Sequence, residues 1–218
     1  VLHWNPRVPG NHSLEFGRAL ASVPADVILI SNPGRMTRPA IAEQWLPEGW
    51  SIQDCGPMGL ATRLPVESVQ VLTFVVHPFE IGHWMVRVHL RTKGGTSLEI
   101  LCVDLPSGVH LLRPKIAHMV RDALAKHPDL PAPDLIVGDF NNEPGSRVFE
   151  AFPESAPPTC RESCGWLCSF PRLLPLWRID GMRTGPTWEF QNYQTIDLGV
   201  GLHRAQLGVV IPKDEQTR

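Results

Sequence analysis

The chain has 218 residues, with 20 Lys+Arg against 22 Asp+Glu and a formal net charge of −2, a length that suits one domain with a sizeable core. Hydrophobic residues make up 43% and charged residues 19%, which excludes a disordered or low-complexity chain. No apolar run reaches the ~18 residues of a membrane-crossing helix. The near-neutral balance argues against a protein that coats nucleic acid through bulk charge and leaves room only for a local basic groove.

Val1–Asn5 reads as a strand entering a turn at Pro6. Because the first residue is Val and already belongs to a strand, residues 1–218 are expected to be a single domain cut from a longer chain. Leu14–Ala21 reads as a helix with Ser13 as N-cap and Glu15 in its first turn. Val27–Ile30 is a short apolar strand bounded by Pro24 and Asn32-Pro33-Gly34, and Pro39 opens a short helix through Trp45. Val69–Val76, Trp84–Leu90 and Leu98–Leu105 form a series of strands, the last two joined by a tight Lys93-Gly94-Gly95-Thr96 turn and therefore antiparallel. His83, Met85, Arg87, His89 and Arg91 share one face of the middle strand, expected to be solvated or covered by a helix.

Ile116, Met119, Val120, Ala123 and Leu124 recur with helical spacing behind Pro114. Leu135–Val137 is a buried strand running into Gly138-Asp139-Phe140-Asn141, and Ser146 caps a short helix through Phe152. Residues 153–175 are irregular and rich in Pro and Cys; Ile179–Met182, Thr195–Val200 and Leu207–Ile211 complete the strands. Strands mixed with helices predict an α+β layered domain, with two sheets face to face and helices outside.

The five cysteines cannot all pair within the chain. Cys102 lies in an apolar run and reads as a small buried hydrophobe. Cys160, Cys164 and Cys168 lack a visible fourth metal ligand and read as structural or incidental. Trp50 and Trp188 read as core rather than base-stacking residues, and His77, His110, His118 and His127 have no matched acidic partner in sequence.

Gly138-Asp139-Phe140-Asn141 carries the chemistry. A strand that delivers a carboxylate and an amide two residues apart turns both the same way. Phosphoester hydrolysis needs that pairing: the carboxylate orients or deprotonates water, and the amide meets charge building on phosphate oxygens. The alternative reading is a strand end with an Asx turn at Asn141-Asn142 and Pro144-Gly145. Asn5 in His3-Trp4-Asn5, Asp180 in Arg178-Ile179-Asp180 and His203 before the last strand complete an ordered series. With Gly59-Leu60-Ala61-Thr62-Arg63-Leu64-Pro65, this series resembles the endonuclease/exonuclease/phosphatase superfamily over essentially the whole chain. Leu174–Asp180 and Thr195–Arg204 are most similar to its branch often carried behind N-terminal membrane helices. That likeness implies a tether before Val1.

The resemblance implies a four-layered α/β sandwich of the deoxyribonuclease I type and Mg²⁺- or Mn²⁺-dependent cleavage of phosphate esters. By position, Asp139 would orient the attacking water, Asn141 would hold a phosphate oxygen, His203 oriented by Asp180 would serve as the acid or phosphate-stabilising group, and Asn5 would lie beside the metal. The sequence departs from the family where the metal is concerned. Asn32 and its neighbours replace the family's Glu after the second strand, Leu202 replaces an Asp before the histidine, Asp104 stands for a histidine, and Gly181 follows Arg-Ile-Asp where the branch has His. Mg²⁺ is ordinarily held by one or two carboxylates plus water and phosphate, so affinity is expected to fall. Asp104 is open as a replacement metal ligand, and Arg35 or Arg38 as a replacement cation for the phosphate.

Three functions follow: a domain with an eroded metal site that binds a phosphorylated ligand with weak or absent hydrolysis, an active metal-dependent phosphoesterase with replaced ligands, and a partner-binding domain without catalysis. The ligand class stays open among a phosphorylated small molecule, a lipid and a nucleic acid.

Overall fold

The computed structural model describes residues 1–7, 12–74, 83–108, 111–159 and 161–213. In chain order these form β1 (Leu2–Trp4), α1 (Ser13–Ala21), β2 (Val27–Ser31), α2 (Pro39–Ala42), β3 (Ser51–Asp54), β4 (Met58–Thr62), β5 (Val66–Phe74), β6 (His83–Arg91) and β7 (Ser97–Asp104). There follow α3 (Arg113–Ala125), β8 (Leu135–Asp139), a 3-10 helix (Arg147–Ala151), β9 (Ser163–Cys164), β10 (Asp180–Thr184), β11 (Trp188–Ile196) and β12 (Ala205–Pro212). One sheet has the order β3-β4-β2-β1-β12-β11-β9 and the other β10-β8-β7-β6-β5. Both are mixed: β1 with β2 and β7 with β8 run parallel, whereas β12 and β10 pair antiparallel with β1 and β8.

Strand periodicity separates the layers. Along β2, Val27 and Leu29 join the core between the sheets, while Ile28 and Ile30 turn outward onto Phe16 and Leu20 of α1. Along β7, Leu98, Ile100 and Cys102 face inward, while Leu101 and Val103 pack on Ile116 and Val120 of α3. Two sheets packed face to face with helices on each outer side make the four-layered sandwich. The polar face of β6 is covered at one end and solvated at the other: Met85 joins the α3 cluster and buried Arg87 donates to Glu99 at 3.1 Å and to the Pro131 carbonyl, whereas Arg91 is exposed.

The Lys93-Gly94-Gly95-Thr96 turn joins β6 and β7 with Gly95 at φ +82°, a conformation that favours glycine. Ser146 caps the 3-10 helix, its hydroxyl accepting from the Val148 amide at 3.4 Å. Ser13 behaves differently. It is the first helical residue rather than the cap, and its buried hydroxyl has no partner among the described residues. The expected strand at Thr195–Val200 belongs to a longer one that begins at Trp188 and ends at Ile196; Gln191, at its bulge, breaks the alternation that would reveal it. Strands β3 and β4 went unread because Ser51–Asp54 is polar and Met58–Thr62 carries a Gly. Val75 and Val76 of the expected Val69–Val76 strand lie outside the described residues, as do His77, His110 and Cys160. Cys102 and Cys55 are buried free thiols, and Cys164 and Cys168 are free beside β9. No described helix is long and apolar enough to cross a membrane.

Candidate active site

The inward faces of both sheets turn polar at one end of the core. In the five-stranded sheet the inward series Cys102, Val137 and Met182 is followed or preceded, two residues along each strand, by Asp104, Asp139 and Asp180. Register aligns them: Asp139 pairs with Asp104 on its parallel side and with Asp180 on its antiparallel side. Three aspartates therefore form one rung across β7, β8 and β10. Gly138 permits this crowding, because with φ +154° a Cβ there would lie 1.9 Å from the Val103 carbonyl oxygen.

In the facing sheet, Leu2 and Trp4 turn outward, so His3 and Asn5 turn inward. Asn5 crosses between sheets, its Nδ2 donating to Asp139 Oδ2 at 2.9 Å. The other Asp139 oxygen accepts the Asn141 amide at 2.9 Å. His3 is fully buried between Gln206 Oε1 at 2.9 Å and Ser31 Oγ at 3.1 Å. Burial holds its pKa below the ordinary histidine value, against the raising effects of Asp180 and Gln206, while His203 adds to the lowering.

His203 meets Asp180 with Nδ1 2.8 Å from Oδ2, and the same nitrogen is 3.9 Å from Asp139 Oδ2. Trp4 Nε1 donates to the His203 carbonyl at 2.9 Å, and the Phe170 ring packs 4.8 Å from the imidazole. Ser169 Oγ accepts the Asp180 amide at 3.2 Å. Asp180 Oδ1 is buried with no partner among the described residues. With Nδ1 fixed by a carboxylate, Nε2 is the ring nitrogen left for a ligand. Ligand atoms of Asp139, Asp180 and His203 lie within 4.8 Å of one another, a spacing a metal ion could also bridge.

Burial raises Asp139 well above the usual carboxylate range, the charges of Asp180 and Asp104 raise it further, and the bonds from Asn141 and Asn5 oppose them. Burial likewise pushes Asp104 up to about 6; the Asn32 hydrogen bond opposes, Asp180 adds, and the charges of His203 and Arg7 oppose. A rung of like charges in a poorly solvated place is the common cause.

The structure brings Asn5, Asp104, Asp139, Asp180 and His203 together, and among the described residues no side-chain hydrogen bond or ion pair links Arg35 to them. Arg35 is exposed on the turn after β2, where its carbonyl accepts the Arg38 amide at 3.1 Å. The arginine whose charge acts on Asp104 is Arg7, whose backbone amide donates to Asn5 Oδ1 at 3.2 Å with φ +48°. Asn141 is not on the strand, which ends at Asp139; it adopts φ +48° and donates Nδ2 to the Leu105 carbonyl at 2.7 Å. An Asx turn does form, but around Asp139 rather than at Asn141-Asn142: the Asn141 backbone amide braces the Asp139 carboxylate. Leu202 is exposed, and a side chain at Gly181 would meet only Phe140 and Tyr193, each at 4.0 Å. Arg7, His3, Ser31, Ser169 and Gln206 were not read as site residues. The signal for His3 was its place two residues before Asn5 on the same strand.

Asn32, which stands near the position of the family's Glu, offers hydrogens there rather than an oxygen. At φ +51° it donates Nδ2 to Asp104 Oδ2 at 2.8 Å and approaches Asn5 Oδ1 at 3.4 Å.

No family model and no curated protein sequence matches this chain. Solved structures do match. A functionally unknown conserved protein from Enterococcus faecalis V583 superposes with a TM-score of 0.73 at 14% identity, covering 97% of this chain and 99% of that one. A mannosyl-6-phosphatase of Bacteroides thetaiotaomicron VPI-5482 gives 0.71 at 12% identity over 96% and 98%. An endonuclease/exonuclease/phosphatase family protein from Bacteroides thetaiotaomicron gives 0.69 at 12% identity over 96% of each chain. With its paired mixed sheets and flanking helices, this chain has the deoxyribonuclease I-like fold of endonuclease/exonuclease/phosphatase family structures.

Proposed function

We propose that this chain is a phosphoesterase-type domain with an eroded metal site, which binds a phosphorylated ligand and hydrolyses it weakly. The observation that carries the reading is the Asn32 amide group, which donates to Asp104 and lies against Asn5 where a cation would need acceptors. The fold supports a phosphoester as ligand, and the mannosyl-6-phosphatase with the same fold acts on one of the small-molecule kind.

The residues fit a divalent cation thinly: Asp104 supplies a carboxylate and Asn5 an amide oxygen, provided Asn32 turns its amide. When bound there, Mg²⁺ or Mn²⁺ would neutralise phosphate charge. The chain's own groups do the rest. Asp139, with its raised pKa, orients water and takes its proton. Asn141 keeps a second amide hydrogen for a phosphate oxygen, and Arg7, whose charge acts on Asp104, joins Arg35 as a cation for the phosphate. His203, held in one tautomer by Asp180, gives a proton from Nε2 to the departing oxygen.

The rung alignment of Asp104 with Asp139 favours a second reading, an active metal-dependent phosphoesterase in which Asp104 is a replaced ligand. One experiment separates them. Hydrolysis of bis-p-nitrophenyl phosphate and p-nitrophenyl phosphate is followed while Mg²⁺ or Mn²⁺ is titrated calorimetrically. Metal binding weaker than about millimolar with slow turnover supports erosion, and tight stoichiometric metal with fast turnover establishes the second reading. Turnover that survives both Asp139→Ala and His203→Ala sinks the site assignment itself.

A further inference from the structure

His203 is 2% exposed and lies in the turn between β11 and β12, which carries left-handed glycines at 199 and 201. Whatever fixes that turn decides where the imidazole points. Trp4 and Pro6, at the end of β1, hold it through the His203 carbonyl and the Leu202 amide. Its other main support comes from the loop before β10, through Arg172.

Arg172 grips the turn before and after His203. Its amide donates to the Leu202 carbonyl at 2.7 Å and its Nε to the Gly201 carbonyl at 3.1 Å. Its own carbonyl accepts Arg204 Nε at 3.1 Å. Its Nη1 donates to Asp197 Oδ1 at 3.0 Å, where the turn begins. The same Asp197 oxygen accepts the Gly199 amide at 2.9 Å, so one carboxylate shapes the turn and docks it. Burial opposes the Asp197 charge, yet the Gly199 and Arg172 bonds hold its pKa below the ordinary carboxylate value.

The same loop touches the dyad. Ser169 Oγ accepts the Asp180 amide, and Phe170 packs on the imidazole. The Ser169 carbonyl accepts the Arg204 amide at 2.8 Å. Arg172 follows within three residues, so it sets the spacing between the loop that supports Asp180 and the turn that carries His203. Holding the two together needs only the backbone bonds, which any residue could make. The side chain adds direction. A planar guanidinium donates from Nε to a carbonyl and from Nη1 to a carboxylate at once, which the ammonium of a lysine on its flexible stem cannot reproduce.

We propose that Arg172 is a positioning residue for His203: its guanidinium fixes the turn against the loop and so aims Nε2 at the departing oxygen. The geometric half concerns the Asp180–His203 bond alone; the catalytic half rests on the function proposed above.

The test uses the whole chain. Arg172→Ala keeps the amide and carbonyl bonds and removes only the guanidinium, and Asp197→Asn leaves Arg172 in place and weakens one of its contacts. In the parent, the proton on His203 Nδ1 should give a downfield NMR resonance that exchanges slowly with water. In Arg172→Ala that exchange should quicken, and kcat for bis-p-nitrophenyl phosphate should fall by roughly tenfold or more with KM little changed. Arg172→Lys should recover only part of kcat, guanidinium ion added to Arg172→Ala should restore part of it, and Asp197→Asn should move both readouts the same way by less. Exchange as slow in Arg172→Ala as in the parent overturns the inference whatever hydrolysis does. So does a loss of kcat that follows the fraction unfolded and that neither Arg172→Lys nor guanidinium relieves, because that is a purely structural role. Quickened exchange with unaltered turnover keeps the tie between Arg172 and His203 and overturns the role of His203 in hydrolysis. The exchange measurement decides the geometric half even for a parent that hydrolyses nothing.

Discussion

Asn32 Nδ2 donates to Asp104 Oδ2 across 2.8 Å, and the same nitrogen lies 3.4 Å from Asn5 Oδ1. An amide group with two hydrogens thus sits between two oxygens of the kind that would share a cation. It satisfies them without a metal and opposes one, since a neutral amide must rotate before the oxygens are free.

Asn32→Asp should reverse that preference. A carboxylate beside Asp104 creates repulsion that only a cation relieves, so Mg²⁺ affinity should rise by roughly tenfold or more while metal-free stability falls. Adding Leu202→Asp should raise affinity further, because Leu202 is exposed and its replacement costs no core packing. Asp is preferable to Glu at position 32, where φ is +51° and short polar side chains are best tolerated. Calorimetric titration reads the affinity. An unchanged isotherm would mean that the cleft is remodelled beyond these two positions.

Asp104 should make the metal-free protein less stable as pH rises. Its folded pKa, about 6, lies above the ordinary value of 3.8, so the stability linked to its proton is complete below that ordinary value and is lost on passing through about 6. Asp104→Asn keeps a neutral side chain at all pH and should gain on the order of 1–3 kcal/mol relative to the parent above pH ~6, with no gain near pH ~4. His3 pulls the other way, since a lowered histidine pKa makes acid destabilising. It acts equally in both proteins and cancels in the comparison. Thermal melts across that range in the presence of a chelator check it, and a pH-independent difference would contradict it.

Gly138→Ala should cost ~3 kcal/mol or more, a loss in the range reserved for backbone clashes and strained φ. The new Cβ would meet a backbone oxygen at 1.9 Å, not a yielding side chain. Separating β7 from β8 would also pull Asp104 away from Asp139. Denaturant unfolding measures the cost, and a shift below ~1 kcal/mol would show that the two strands can part without strain.

Much of this architecture was legible because the inner strands obey period two with apolar residues on both faces, as Val27–Ile30 and Leu135–Val137 do. The site was legible where a motif is contiguous, as at Asp139, and where a lone polar residue borders an apolar strand, as at Asp180 and His203. Strand register was not legible. Nothing within the Leu98–Leu105 segment says that Asp104 will stand level with Asp139, since parallel pairing is set by distant packing. Side-chain direction was equally hidden: Asn32 could present oxygen or nitrogen, and only its neighbours Asp104 and Asn5 decide.

Asp180→Asn tests the dyad directly. The carboxylate binds His203 Nδ1 at 2.8 Å and so selects the tautomer that leaves Nε2 to work. An amide can present either hydrogen or oxygen and loses the charge that supports an imidazolium. Residual turnover of bis-p-nitrophenyl phosphate should fall by roughly a hundredfold or more through kcat, with KM little changed. Ser169→Ala, which removes the acceptor of the Asp180 amide and a long hydroxyl bond to the Trp177 carbonyl, should lower kcat far less. Imidazole nitrogen shifts in NMR should show mixed tautomers in Asp180→Asn and a single one in the parent. If kcat and tautomer are both unmoved, Asp180 is a buried structural carboxylate, and His203 acts without it.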